Sequence, residues 1–497
     1  MQKKINIFEK LNPGLITFKL FVISIILYYA NYIYYFFNPN YLQKSIPDLY
    51  ISILVVISVI VLIYVFKKYR RNTFEWIVLI SASQYFIYIG KGKLGYGETL
   101  FFVLSILVVY ELINDKKNFF IGDFVKLFPF NMLFLFAISL SLFFAPIKFN
   151  MNNLKEVIQA FLYYIVIPYV IFIYYLKIEN KTDLQKNIFS ILFVLILTGI
   201  LISFNYILEF FFVHKYSLIE FFKKSTFPFR SYHAVLKYVY FHWNTLPGFL
   251  IMPLVITTLI GLFFKIKKRI FWILSLILMY FVFTICFSRG SWVGLIFSLM
   301  LAGFVLILLF IKKIEIKILF IIFYVFLILC IGSILGYKIY RGIVGENSAK
   351  KGFYDGSTYV RYRLYKLNYR IFKKYPITGL GLGNYEILCK NFTVPGDVLD
   401  DTPLNLYIWT LSETGTIGFI FYICMFLYPF YLFFKRKIYD KLSIILLLTL
   451  IGVYVNNLFT PLMLRGVGIY VWIIYSLAVI YIKSVDSDTT GYSNYKK

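Results

Sequence analysis

An all-α polytopic membrane protein is the fold class this sequence predicts, and three features predict it. Of its 497 residues 61% are hydrophobic, with a mean hydropathy of +0.78, where a soluble domain has about 45–50% apolar residues. Apolar runs long enough to cross a bilayer recur along the chain. Basic residues gather in alternate connections between those runs.

The runs fall near 14–37, 49–66, 75–90, 98–114, 128–146, 158–177 and 187–212, then 245–265, 269–287, 291–312, 316–337, 416–434, 441–459 and 465–483. At ~17–25 residues per span they make about fourteen transmembrane helices. The first follows Met1–Gly14 with no small-residue cleavage site, which reads as a retained anchor. With the N-terminus inside, the cytoplasmic connections hold the basic clusters at Lys67–Arg71, Lys116–Lys117, Lys265–Arg269, Lys312–Lys317 and Lys435–Lys437. The short opposite loops are poor in such residues, so both termini are expected in the cytoplasm.

Five segments follow from this pattern. Residues 1–212 form N-terminal transmembrane helices, and 213–337 a first outer loop with central helices. Residues 338–415 form a large extracytoplasmic loop, 416–483 the C-terminal helices, and 484–497 a disordered cytoplasmic tail. Long loops on one face are where chemistry is usually placed.

Net charge is +28. A soluble chain so basic would suggest nucleic acid, but short clusters between apolar runs are topology signals, so no nucleic acid is expected. The 22% aromatic content fits interfacial belts or a codon bias equally well. Four cysteines, Cys286, Cys330, Cys389 and Cys424, form neither a disulfide framework nor a metal spacing. No metal and no cofactor are expected.

Within the large loop, Val360, Leu364, Leu367 and Ile371 recur at helical spacing, which predicts an amphipathic helix over 358–375. Arg363, Lys366, Arg370 and Lys374 line its basic face. That face either rests on anionic lipid or docks an anionic substrate. Arg361 lies on another stripe with Tyr365 and Phe372. Beyond the helix, Gly379, Gly381 and Gly383 precede Asn384. They permit tight turns and close backbone approach, a weak phosphate-loop signal without a following Lys-Ser/Thr. Asn405, Tyr407 and Glu413 lead into the next span. Arg289, in Ser288-Arg289-Gly290, sits between two apolar runs at the outer face. It is either a snorkelling arginine or a functional one pointing into the bundle mouth.

In order and spacing these residues resemble the O-antigen ligase and O-antigen polymerase superfamily over about 241–472. Four features carry the resemblance: Phe241-His242-Trp243-Asn244 with Pro247-Gly248; Ser288-Arg289-Gly290; Arg361 with Tyr365 and the stretch Pro376–Asn384; and Asn405-Leu406-Tyr407 with Glu413-Thr414-Gly415 and Gly418. The resemblance implies transfer of glycans carried on undecaprenyl diphosphate at the outer face of a bacterial cytoplasmic membrane. It implies a glycan donor on that lipid, a glycan or lipid acceptor, contact with membrane lipid, and a chain-length regulator as a further partner. Arg289 and Arg361 are the expected diphosphate ligands, since a guanidinium can engage two phosphate oxygens at once. Asn244, Tyr365, Arg363, Lys366, Arg370, Gly381, Gly383, Asn384, Asn405 and Tyr407 are the remaining candidates for substrate contact.

One departure matters. Family ligases commonly carry His-Asn where this chain has Leu404-Asn405. Leucine cannot take a proton, so His242, Asp401 and Glu413 are the candidate bases. A polymerase of lipid-linked repeat units is therefore the first expectation and a ligase the second. A lipid-linked glycan transporter or flippase is the third; it would show charges at mid-membrane or repeated broken helices.

Overall fold

The computed structural model describes residues 48–68, 73–81, 86–89, 92–114, 121–147, 149–176, 181–212, 245–264, 269–286, 288–310, 356–394, 405–461 and 467–484, with Lys19 and Val22. The helices of the first half are α1 (Asp48–Lys68), α2 (Thr73–Ser81), α3 (Tyr96–Asn114), α4 (Ile121–Leu127), α5 (Pro129–Phe143), α6 (Met151–Phe161), α7 (Ile167–Leu176) and α8 (Lys181–Phe212). Those of the second half are α9 (Thr245–Phe263), α10 (Arg269–Ile285), α11 (Arg289–Phe310), α12 (Gly356–Lys374), α13 (Tyr385–Leu388), α14 (Leu406–Arg436), α15 (Lys441–Asn456) and α16 (Val467–Ser484). A π-helical turn, Leu162–Val166, joins α6 to α7.

Most apolar runs became helices close to where the sequence puts them. Five segments are long and apolar enough to cross a membrane: Met151–Ile173, Thr182–Phe204, Leu246–Phe263, Leu406–Arg436 and Val467–Ser484. Five shorter apolar helices accompany them, among them Pro129–Phe143 and Lys441–Asn456. The expected count of about fourteen spans is thus met only in part among the described residues. The runs at 14–37 and 316–337 lie largely outside them.

One run is corrected outright. The span expected over 75–90 is the nine-residue α2 followed by strands β1 (Phe86–Ile89) and β2 (Gly92–Gly95). The strands pair antiparallel, Phe86 opposite Gly95 and Ile89 opposite Gly92. The sequence Gly90-Lys91-Gly92 carries the turn signal that a hydropathy window averages away.

The innermost helix is α16, buried at every position from Val467 to Ile482. Around it pack α7, α14 and α15. Trp472 meets Tyr164 edge to face at 4.8 Å, and the Tyr475 hydroxyl donates to Asn131 Oδ1 at 3.0 Å. Asn131 in turn donates to the carbonyl of Tyr164, in the π turn, at 2.7 Å. These buried polar groups are satisfied by one another, as an apolar surrounding demands.

Helices α11 and α15 cross closely. Gly290, Gly294 and Ser298 form a small-residue stripe on α11. A Cβ at Gly294 would stand 2.5 Å from the carbonyl oxygen of Gly452 on α15. Ser298 Oγ donates to the carbonyl of Leu448 at 2.6 Å. Where lipid removes the hydrophobic drive between helices, backbone approach of this kind holds them together. It also fixes the Ser288-Arg289-Gly290 turn over the end of α15.

Candidate functional site

The predicted amphipathic helix is present as α12. Leu364, Leu367 and Ile371 are buried against the bundle, and Tyr362, Tyr365, Lys366 and Tyr369 face outward. Asn368 is buried among the leucines and made acceptable there by three bonds. It donates to the carbonyl of Leu364 at 2.7 Å and to the Tyr385 hydroxyl at 3.1 Å, and it accepts from Ser412 Oγ at 2.6 Å. Arg363 and Arg370 are half-buried. Arg370 Nε donates to the carbonyl of Phe392 at 2.9 Å, so this member of the basic face ties down the segment after α13. The Lys366 ammonium lies 4.5 Å from the ring centre of Tyr362.

The glycine loop after α12 is built into α14. That helix is broken at Gly415, whose φ of 64° and ψ of −167° are not helical. In a continuous helix the N–H groups of Thr416 and Ile417 would bond to the carbonyls of Ser412 and Glu413. Instead Thr416 N–H donates to the carbonyl of Pro376 at 2.9 Å and Ile417 N–H to that of Ile377 at 3.3 Å. The freed carbonyls of Ser412 and Glu413 accept from the N–H groups of Leu380 and Gly381, each at 2.9 Å. The loop thus supplies partners for all four of these groups. The approach leaves no room for side chains: a Cβ at Gly379 would lie 2.5 Å from the carbonyl of Glu413. Gly379, Gly381 and Gly383 all adopt positive φ, +70°, +87° and +79°.

Glu413 completes the junction. It is 4% exposed, and its Oε1 accepts from the N–H of Gly383 at 3.0 Å and of Tyr385 at 3.3 Å. The Trp409 indole N–H faces the same carboxylate outside strict hydrogen-bond geometry. Beside it is a cavity of about 20 Å³, lined by Glu156, Gln159, Tyr164, Trp409, Thr410 and Glu413 among others, room for about one water molecule. Asn384 is similarly engaged. Its Oδ1 accepts from Asn153 at 2.7 Å and Asn150 at 3.2 Å, and its Nδ2 donates to the carbonyl of Leu380 at 2.8 Å.

These contacts correct the phosphate-loop reading of Gly381, Gly383 and Asn384. The peptide N–H groups of Gly381 and Gly383 are spent on Glu413, so they are not a cradle for phosphate. Asn405 and Tyr407 are engaged in the same way. Asn405 caps α14, its Oδ1 accepting from the N–H groups of Tyr407 and Ile408. The Tyr407 hydroxyl donates to the carbonyl of Tyr454 at 2.8 Å.

Arg361 and the Ser288–Ser291 turn meet at one segment, Asn456–Thr460, at the end of α15. Arg361 Nη1 donates to the carbonyl of Phe459 at 2.8 Å. Gly290 lies against the same residue, where a Cβ would stand 2.3 Å from Phe459 Cβ. Ser291 Oγ donates to Asn456 Oδ1 at 2.9 Å, and the N–H of Leu406 to the carbonyl of Asn457 at 3.0 Å. Three of the four sequence features therefore share one anchor, with Arg289 exposed and Arg361 half-buried beside it. His242, Asn244, Asp401 and Leu404 lie outside the described residues. Among the described residues no group of three His, Cys, Asp or Glu is placed to hold a metal ion.

Sequence reasoning missed that anchor, and with it Asn150 and Asn153. A signal was present: the polar pair Asn456-Asn457 ends an apolar run, where asparagine is seldom buried.

Residues 274–423 match the family model described as O-antigen ligase. The match is to that segment of the chain. It takes in most of α10, then α11, α12, the glycine loop and the first half of α14; the anchor at 456–460 lies beyond it. No curated protein matches the chain.

Proposed function

We propose that this multi-pass membrane protein is a glycosyltransferase that polymerises oligosaccharide repeat units carried on undecaprenyl diphosphate. The observation that carries the reading is the meeting of Arg361 with the Ser288–Ser291 turn on Asn456–Thr460. Arg289 belongs to that turn, and the family match over 274–423 supports the reaction class.

In the reaction an acceptor hydroxyl attacks the anomeric carbon of the donor glycan. The new C–O bond forms as the bond to the phosphate oxygen breaks, and the lipid diphosphate leaves with the electron pair. Charge grows on that diphosphate in the transition state, where Arg289 and Arg361 stabilise it. Tyr365, Arg363 and Lys366 contact the glycan or its phosphates along the outer side of α12. The hydroxyl proton goes to His242 or Asp401. The reaction is metal-independent, so a chelator leaves turnover unchanged. The active corner faces outward from the bacterial inner membrane, with both chain termini in the cytoplasm, and a chain-length regulator docks alongside.

Transfer to a lipid or protein acceptor is the ligase alternative. Purified protein in vesicles, given lipid-linked repeat units alone, discriminates the two. Polymer with release of lipid diphosphate supports the polymerase. Release only on addition of a separate acceptor supports the ligase, and no release with either rejects glycan transfer.

A further inference from the structure

We infer that Glu413 is a positioning residue: its buried carboxylate, bonded to the peptide N–H groups of Gly383 and Tyr385, locks the glycine loop into the break of α14 and so fixes the helix that bears Arg361. The inference rests on the proposed glycan transfer for its activity readout and on geometry for the rest.

A buried carboxylate is tolerated only when strong donors surround it. Here both hydrogen-bond donors to Oε1 are backbone groups of the loop. The loop is the direct continuation of α12. The same junction holds α12 through Asn368, bonded to Ser412 and Tyr385. Arg361 sits near the opposite end of α12, bonded to Phe459. From 375 back to 361 the helix extends about 21 Å at ~1.5 Å per residue. A tilt of about 5° at the junction therefore carries Arg361 through about 2 Å, and a misplacement of ~1 Å can cost a hundredfold in rate. Glu413 thus acts on catalysis through a lever, without touching the reacting atoms.

Two variants separate this role from that of a base. Glu413→Gln keeps an oxygen to accept from Gly383 and Tyr385 but cannot take a proton at neutral pH. Glu413→Ala removes the acceptor. The positioning role predicts turnover within about tenfold of wild type for Gln, because both bonds are retained. It predicts a loss of about a hundredfold or more for Ala, chiefly in kcat.

An activity-independent readout accompanies them. Nitroxides on Tyr369→Cys and Leu458→Cys, both exposed positions, report the distance from α12 to the anchor once the chain's own cysteines are replaced. The expected distribution is narrow in wild type and Glu413→Gln, and broad or shifted in Glu413→Ala. A Gln variant as inactive as Ala with a narrow distribution overturns the inference in favour of a proton acceptor. A narrow distribution and full turnover in Ala overturn it as well. If wild type shows no glycan transfer while Ala still broadens the distances, the proposed function fails and the positioning role stands.

Discussion

Adding one methyl group at Gly415 puts the spliced helix to its sharpest trial. In Gly415→Ala the new Cβ would stand 2.2 Å from the carbonyl oxygen of Ile377, 2.4 Å from its carbonyl carbon and 2.6 Å from the nitrogen of Gly379. All three are backbone atoms, so no rotamer change relieves the overlap. The φ of 64° and ψ of −167° are themselves nearly exclusive to glycine, and holding alanine there costs about 1–3 kcal/mol before any clash. The alternative is withdrawal of the loop and closure of α14. Four loop-to-helix backbone bonds are then lost and two helical bonds regained. The net loss of two comes to about 1–3 kcal/mol at ~0.5–1.5 each. The two bonds accepted by Glu413 Oε1 go as well. Either route destabilises by at least about 2 kcal/mol. The control is Gly122→Ala in α4, where a Cβ meets nothing within 4 Å and helix propensity gains about 0.5–1 kcal/mol. The assay is the fraction of monodisperse protein left after heating in detergent. Gly415→Ala should lose it several degrees below wild type, and Gly122→Ala at or above wild type. Equal melting of Gly415→Ala and wild type would refute the splice.

Other consequences are open to test. Arg361→Lys retains charge but not the planar fork, and turnover should fall about a hundred- to a thousandfold; Arg370→Lys breaks the bond to Phe392 and should cost stability of about 0.5–1.5 kcal/mol while leaving turnover within threefold. Gly294→Val forces α11 from α15, where even a Cβ lies 2.5 Å from the Gly452 carbonyl; the yield of membrane-embedded protein should collapse, and normal yield would contradict the crossing. For topology, Cys389 is a poor probe because it is only 3% exposed, whereas its neighbour Lys390 is exposed. Lys390→Cys should react with a membrane-impermeant thiol reagent on intact cells; reaction only after the membrane is opened would invert the orientation.

What could be read from the sequence was whatever rests on side-chain hydrophobicity. The runs that became α9, α10, α15 and α16 are placed within a few residues, and the face of α12 is right at Leu364, Leu367 and Ile371. The failures have a common cause. At 75–90 a window of hydropathy runs across a glycine turn and merges a short helix with a hairpin. At 376–384 the contacts that matter join peptide groups, which no residue pattern encodes. Three glycines before an asparagine therefore read as a weak phosphate-loop signal, when the N–H groups of Gly381 and Gly383 serve α14 and that of Gly379 bonds to Tyr375. Asn384 meets Asn153 across more than two hundred residues of chain, a separation that local reading cannot bridge. Arg289 and Arg361 were singled out by their place in the family resemblance and not by charge alone. Their common support, Asn456–Phe459, was hidden inside what looked like the end of one more span.

The most direct measurement is release of undecaprenyl diphosphate from a lipid-linked repeat unit by purified protein in vesicles, wild type beside Arg361→Ala. The proposed role of Arg361 at the leaving diphosphate predicts release coupled to glycan extension in wild type. It predicts a fall of about a hundred- to a thousandfold in the variant, with the protein still folded in the membrane. Release by Arg361→Ala at the wild-type rate would contradict it.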